Sequence, residues 1–257
     1  MKKSILFELN TQKFSTSLLC VSLFQREEGG YTIMNTRIIL IRHAQSIKNL
    51  KDIHGGSGES LTDCGILQAE KLANSLLELG VDQTNSVLIY PPNLQVVETA
   101  AILMNKIGLY QEVIEEFKPL DLGIISGLSN KEVELQFPEC FLLMKRWRNK
   151  EIEICDLAIP GMENPLDFYK RGQVVLEKIQ HKKNNIFLCT NSLYILLLNI
   201  LLGNTPNQGD GYKHFNIQNC GMTIFEENIN EKSFYLNQLA TNVADVSHYF
   251  TNKSTVL

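Results

Sequence analysis

Arg37-Ile38-Ile39-Leu40-Ile41-Arg42-His43-Ala44-Gln45-Ser46-Ile47-Lys48-Asn49 is the stretch on which the reading of this chain turns. Its four branched apolar residues, Ile38 to Ile41, show no polar alternation, so the spacing predicts a strand buried on both faces, as in a parallel sheet. The run stops at Arg42-His43, a cation and a titratable imidazole at the strand's carboxyl end. In open α/β sheets that edge is where ligands bind. An imidazole held beside a guanidinium suits phosphoryl chemistry, with His43 as nucleophile and Arg42 as phosphate clamp. Ser46 and Asn49 come next as hydrogen-bonding candidates. The same pair also suits a salt-bridged end to a core strand, so both readings stand at this point.

Length and composition narrow the class. With 257 residues the chain can bury a large core, as one α/β domain or two small ones. A hydrophobic fraction of 44% and a charged fraction of 20% are those of an ordinary globular protein. The net charge of -4 and the lack of a basic run argue against nucleic acid as a partner. The six cysteines lack paired spacing, which argues against zinc clusters and a disulfide framework and fits reduced thiols in a cytoplasm.

Residues 1–33 differ from the rest. Met1-Lys2-Lys3 and the apolar residues after it imitate the start of a signal peptide. Glu8, Asn10, Gln12 and Lys13 interrupt it, and Ser17 to Phe24 is too short to span or export. Glu28-Gly29-Gly30-Tyr31-Thr32-Ile33-Met34 is what a purine-rich bacterial ribosome-binding site before a start codon looks like when translated. The expectation is therefore a natural start at Met34, with 1–33 an extension outside it and 34–257 a single domain.

Downstream, strands and helices alternate. Thr62 is the expected N-cap of a helix to about Leu79, closed by Gly80. Ser86 to Tyr90 is a second strand, and Asn93 to Ile107 a second helix. Ser129 with Glu132 makes a capping box for a helix toward Trp147, and Asn164 caps another across Phe168 to Ile179. Asn184 to Gly203 has no charged residue, but its asparagines favour a buried strand leading into a buried helix over a membrane span. Met222 to Phe225 and Phe234 to Leu239 are short late strands. This order predicts an α/β fold, a three-layer α/β/α sandwich with a mostly parallel central sheet.

Three segments then carry a family resemblance: Arg42-His43-Ala44, Leu61-Thr62-Asp63-Cys64-Gly65-Ile66-Leu67-Gln68-Ala69, and Glu98-Thr99-Ala100 after the second strand. Together they resemble the histidine phosphatase (phosphoglycerate mutase-like) superfamily. The likeness continues in order through Gly123, Pro160-Gly161-Met162-Glu163, Arg171, Asn219-Cys220-Gly221 and Ser247-His248. It implies five groups around a phosphate: the motif Arg and His, a second Arg, a Glu acid and a second His. The first His would take the phosphoryl group, the two Arg and second His would hold its charge, and the Glu would protonate the leaving oxygen. Arg42 and His43 are present, and Asn49 keeps its place. The second Arg falls on Gln95, the Glu on Pro119 and the second His on Asn191, while the motif glycine is Ala44.

Gln95 and Asn191 still donate hydrogen bonds; Pro119 donates nothing. A general acid contributes ~10²–10⁴ in rate and each preorganised charge donor ~10²–10³. Naively combined the losses reach roughly 10⁶–10¹⁰, although such effects are rarely additive. Asp121, two residues from Pro119, is a candidate surrogate acid, and equally a loop carboxylate capping nearby amides. Two functions are left: a phosphomonoesterase working through phospho-His43 with impaired machinery, or an inactive member that binds a phosphorylated ligand or a protein. Mutase activity is less expected, because returning the phosphoryl group also needs an acid–base residue. No cofactor or metal is implied, the expected partner is a phosphorylated small molecule, and the sequence leaves the oligomeric state open. Lys145, Arg146, Arg148, Lys150 and Arg171 would either meet an anionic substrate or form a solvated face.

Overall fold

Ile38 to Ile41 are fully buried at the centre of β1 (Arg37–Arg42), between two half-buried arginines. Full burial of one such side chain is worth about 1.5–3 kcal/mol, so the strand end is a rigid platform for His43. The computed structural model describes residues 36–180, 182–207, 209, 211–228 and 233–242. The extension 1–33, the expected start at Met34 and the motif pair Ser247-His248 lie outside the described residues.

After β1 come α1 (Ile47–Leu50), α2 (Asp63–Glu78), β2 (Ser86–Tyr90), α3 (Leu94–Ile107) and β3 (Tyr110–Val113). Then come α4 (Asn130–Gln136), α5 (Pro138–Arg148), α6 (Pro165–Leu176), β4 (Asn184–Cys189), α7 (Asn191–Leu201), β5 (Gly221–Asn228) and β6 (Ser233–Asn242). The strands form one sheet of order β3-β2-β4-β1-β5-β6. β1 pairs in parallel with β4, placing Ile39 opposite Ile186. β2 is parallel to β4 and β3 parallel to β2, whereas β5 runs antiparallel to β1, and β6 to β5.

The alternation of side chains along a strand splits the core in two. Ile39 and Ile41 pack with Leu72, Leu76, Val96 and Leu103 of α2 and α3 on one face. Ile38 and Leu40 pack on the other with Trp147 of α5, Phe168 of α6 and Tyr194 of α7. The expected three-layer α/β/α sandwich with a mostly parallel sheet is therefore the fold.

Local signals place most boundaries. Thr62 caps α2 by accepting from the Gly65 amide at 2.9 Å, and Asn164 caps α6 through the Leu166 amide at 2.9 Å. The helix expected from Ser129 toward Trp147 is two helices. Pro138 disfavours helical backbone at the residue before it, and Phe137 accordingly sits at φ -138°, ψ 60° between α4 and α5. α6 also begins and ends earlier than the expected Phe168 to Ile179. β3 has no counterpart in the sequence reading, because Tyr-Gln-Glu-Val on an exposed edge shows no apolar run. Asn184 to Gly203 resolves into β4 and α7, and among the described residues no helix is long and apolar enough to cross a membrane.

Candidate active site

The end of β1 is held from every side. The His43 amide donates to the Cys189 carbonyl at 3.0 Å, and the His43 carbonyl accepts from Asn219 Nδ2 at 3.0 Å and the Cys220 amide at 3.3 Å. The Ala44 amide donates to Thr99 Oγ1 at 3.2 Å. Gln45 explains why the Leu61–Ala69 block accompanies the first motif. Its amide donates to Gln68 Oε1 at 2.9 Å, its side-chain oxygen accepts from Thr62 Oγ1 at 2.8 Å, and its carbonyl accepts from the Thr62 amide at 3.0 Å. A Cβ at Gly65 would stand 2.0 Å from that carbonyl, so only glycine lets the helix start this close.

His43 is buried, and its Nδ1 lies 2.7 Å from the Ala44 carbonyl oxygen. A carbonyl only accepts, so Nδ1 carries the proton and the Nε2 lone pair is free. Burial above all, then the Arg42 charge, push the imidazole pKa down to about 3, against the opposing pull of the Ala44 carbonyl; the Lys48 charge lowers it further. His43 is thus a neutral imidazole across the physiological range. The Arg42 guanidinium donates from Nη1 to the Ile217 carbonyl. Burial lowers its pKa to about 10, which still leaves it a cation at neutral pH.

A cavity of about 680 Å³ opens over this point. It brings Arg42, His43 and Asn49 together with Gln95, Pro119 and Asn191 from far along the chain. Asn49 Oδ1 accepts from the Ser46 amide at 3.0 Å, Ser46 Oγ at 3.1 Å and Asn219 Nδ2 at 3.1 Å, so its amide Nδ2 is the end left to donate. Gln95, 2% exposed, keeps Oε1 without a partner and packs on Gly58, where a Cβ would come within 1.9 Å of that oxygen.

Two expected residues are placed elsewhere. Ser46, the N-cap residue of α1, is fully buried outside the cavity lining, its hydroxyl spent on Asn49. Asp121, the candidate surrogate acid, is not among the lining residues, and its Oδ1 accepts from the Gly123 amide at 2.9 Å and Ser126 Oγ at 3.1 Å. It is the loop-capping carboxylate.

Four buried side-chain polar atoms among the described residues lack a partner: Arg42 Nε, Gln95 Oε1, Trp147 Nε1 and Thr190 Oγ1. All four residues line this one cavity. An unmade buried hydrogen bond costs about 1–3 kcal/mol, so their gathering at one place marks a polar ligand site.

Sequence reasoning gave no site role to Lys48, His54, Trp147, His214 and Asn219, although Asn219 lies in a matching segment; all five line the cavity. Arg148 Nη2 donates to His54 Nδ1 at 3.4 Å, and His54 Nε2 therefore carries the proton toward Asn130 Oδ1 at 2.8 Å. Trp147 meets His214 edge-on at 5.0 Å. Neither histidine has a motif around it, so nothing local announced them. Of Lys145, Arg146, Arg148, Lys150 and Arg171, Arg148 alone lines this cavity. Arg171 is spent on Glu163 at 2.8 Å, and Arg146 faces Glu151 at 3.8 Å. Lys145 lines a larger, open hollow of about 1010 Å³ next door, which holds neither Arg42 nor His43 and so lacks the chemistry.

Arg42, Lys48 and Arg148 face one carboxylate, Asp52, in the cavity lining. That positive excess inside a chain of net charge -4 favours an anion.

The buried imidazoles predict acid sensitivity. Burial lowers the pKa of His214 to about 4 and that of His54 in the same direction, alongside His43 at about 3. Because these folded values lie below the unfolded one of about 6.5, the folded state binds fewer protons. Their contribution is complete above about pH 6.5 and is lost as pH falls toward 4 and then 3. The urea midpoint should fall over that interval, and His214→Phe should flatten the fall. A midpoint constant from pH 6.5 to 4 would contradict the assignment.

The sequence matches the family described as histidine phosphatase superfamily (branch 1) over residues 38–239. No curated protein matches it. Among solved structures, a putative alpha-ribazole-5'-P phosphatase from Escherichia coli is 20% identical with a TM-score of 0.65, covering 82% of this chain and 98% of its own. A mycobacterial glucosyl-3-phosphoglycerate phosphatase is 19% identical with a TM-score of 0.64, covering 80% of this chain and 99% of its own. The same mycobacterial phosphatase in complex with VO3 has a TM-score of 0.65 at 19% identity, over 80% of this chain and 99% of its own. At these identities the structures share the fold, and the match across 38–239 adds the lineage: this chain belongs to the histidine phosphatase superfamily.

Proposed function

We propose that the chain is a phosphomonoesterase that works through a covalent phospho-His43 intermediate with reduced machinery. The observation that carries this is the Nδ1–Ala44 carbonyl contact of 2.7 Å, which leaves a neutral imidazole with Nε2 free to attack. Nε2 attacks phosphorus, the ester P–O bond breaks, and the leaving oxygen departs with its electron pair. Water then attacks the phosphohistidine, releasing inorganic phosphate and restoring His43. Arg42, the Asn49 amide, Gln95 and Asn191 bind the phosphoryl oxygens; with Gln95 and Asn191 as donors, Gln95 Oε1 would turn away from them. The apolar and aromatic wall of Leu122, Met144, Trp147, Ile195 and Phe215 suits a leaving group with a flat or apolar body. The partner is thus a phosphorylated small molecule. A cytoplasmic location belongs to the same reading and rests on the unpaired state of all described cysteines.

A second reading keeps the binding and drops the turnover. Pro119 favours it, because the position expected to supply a proton carries a side chain with none to give. Incubation with an activated aryl phosphate separates the two. The first reading expects an acid-labile phosphoenzyme that disappears in His43→Ala, and equal trapping in that variant would remove His43 from the mechanism. Vanadate binding without any trapped phosphoenzyme would install the second reading. As the only tryptophan of the chain, Trp147 reports ligand entry directly by fluorescence.

A further inference from the structure

We propose that Lys48 is the second cation on the bound phosphoryl group, replacing the charge absent at Gln95. The proposal rests on the reading that the cavity receives a phosphoryl group at His43. Lys48 lies on α1, directly after the strand end, and lines the cavity with Arg42 and His43. Its backbone is fixed: α1 is braced by Asn49 Oδ1 on the Ser46 amide, and the Lys48 carbonyl accepts from the Ile53 amide at 3.1 Å.

The ammonium is underused. It donates to the Gly55 carbonyl, itself part of the cavity wall, and an ammonium has three donors. Among the described residues Lys48 enters no ion pair, and the neighbouring Glu59 is taken by Lys51 at 3.4 Å. The charge of Glu59 reaches Lys48 but is shared with Lys51, and a partly buried cation so weakly opposed gains from a ligand that supplies negative charge. The Lys48 charge also registers on both sides of the cavity, depressing the imidazoles of His43 and of His54. Lys48 shares the cavity lining with His43, Gly55 and Arg148, so an anion bound there would share the space with its ammonium. Gln95, neutral and packed on Gly58, cannot provide that charge.

Orthovanadate binding by calorimetry tests this on the full chain. Lys48→Met should weaken binding about 10- to 100-fold, the range for one hydrogen bond to a charged group, and should make the affinity less dependent on salt. Lys48→Arg should keep most of the affinity and the wild-type salt dependence. Lys51→Met, which removes an exposed charge paired with Glu59, should change nothing. Lys48→Gln serves as the neutral variant if Lys48→Met does not fold. A folded Lys48→Met that binds vanadate like wild type overturns the proposal. So does equal loss in Lys48→Met and Lys48→Arg with unchanged salt dependence, since that would mean Lys48 merely props the Gly55 loop. Wild type that fails to bind vanadate is a different result: it removes the phosphoryl site itself, and Lys48's role with it.

Discussion

Gln95→Arg combined with Asn191→His should strengthen orthovanadate binding by about 10²- to 10⁴-fold, at about 1.5–3 kcal/mol for each added donor to a charged group. Both positions line the cavity with Arg42 and His43. Gln95 Oε1 has no partner to lose, and it lies in the first turn of α3, so a longer side chain begins from a fixed base. Arginine adds a planar fork able to hold two phosphoryl oxygens. Histidine at 191 opposes the charge that develops during transfer. The gain has a cost that can be measured. Without an anion, a further guanidinium joins Arg42, Lys48 and Arg148 in one cavity, so the unliganded double variant should be less stable than wild type and recover when vanadate binds. Aryl phosphate turnover should rise by about 10²–10³ per restored donor. A folded double variant that binds vanadate no better than wild type would show that positions 95 and 191 do not serve the same oxyanion as His43.

Alkyl phosphates should lag aryl phosphates by about 10²–10⁴, the rate a general acid supplies. An aryl oxide leaves unaided, whereas an alkoxide needs a proton, and Pro119 stands in the cavity wall with none to offer. Pro119→Glu should narrow the gap chiefly by raising the alkyl rate, and the added acid should introduce a descending limb at higher pH. Equal wild-type rates on the two ester classes would mean that another acid is already at work. Asp52, the carboxylate in the cavity lining, would be the residue to remove, as Asp52→Asn; Asp121 is committed to the Gly123 amide and the Ser126 hydroxyl.

Legibility in the sequence tracked the range of the interactions. Ile38 to Ile41 announced a two-sided strand because burial on both faces suppresses alternation, and Thr62, Ser129 and Asn164 announced helix starts because a cap acts within three residues. Strand–helix alternation was enough for the layers. Arg42 and His43 were legible because they end a strand whose burial the sequence announces. The break at Phe137 is written in the sequence as Pro138, but the capping box and periodicity point straight through it.

What tertiary structure alone decided is which polar groups share a space. The Asn219 side chain holds the His43 carbonyl across 176 residues, and nothing near either residue specifies that bond. Arg148 and Arg171 look alike in the sequence, yet one lines the cavity and the other is spent on Glu163, because α5 and α6 present them to different neighbours. Nothing in the sequence around Lys48 shows that the Gly55 carbonyl, His43 and His54 share a cavity with it. Charges are assigned to a site by where the sheet and the inserted helices bring them, and that information is held between distant segments rather than within any one of them.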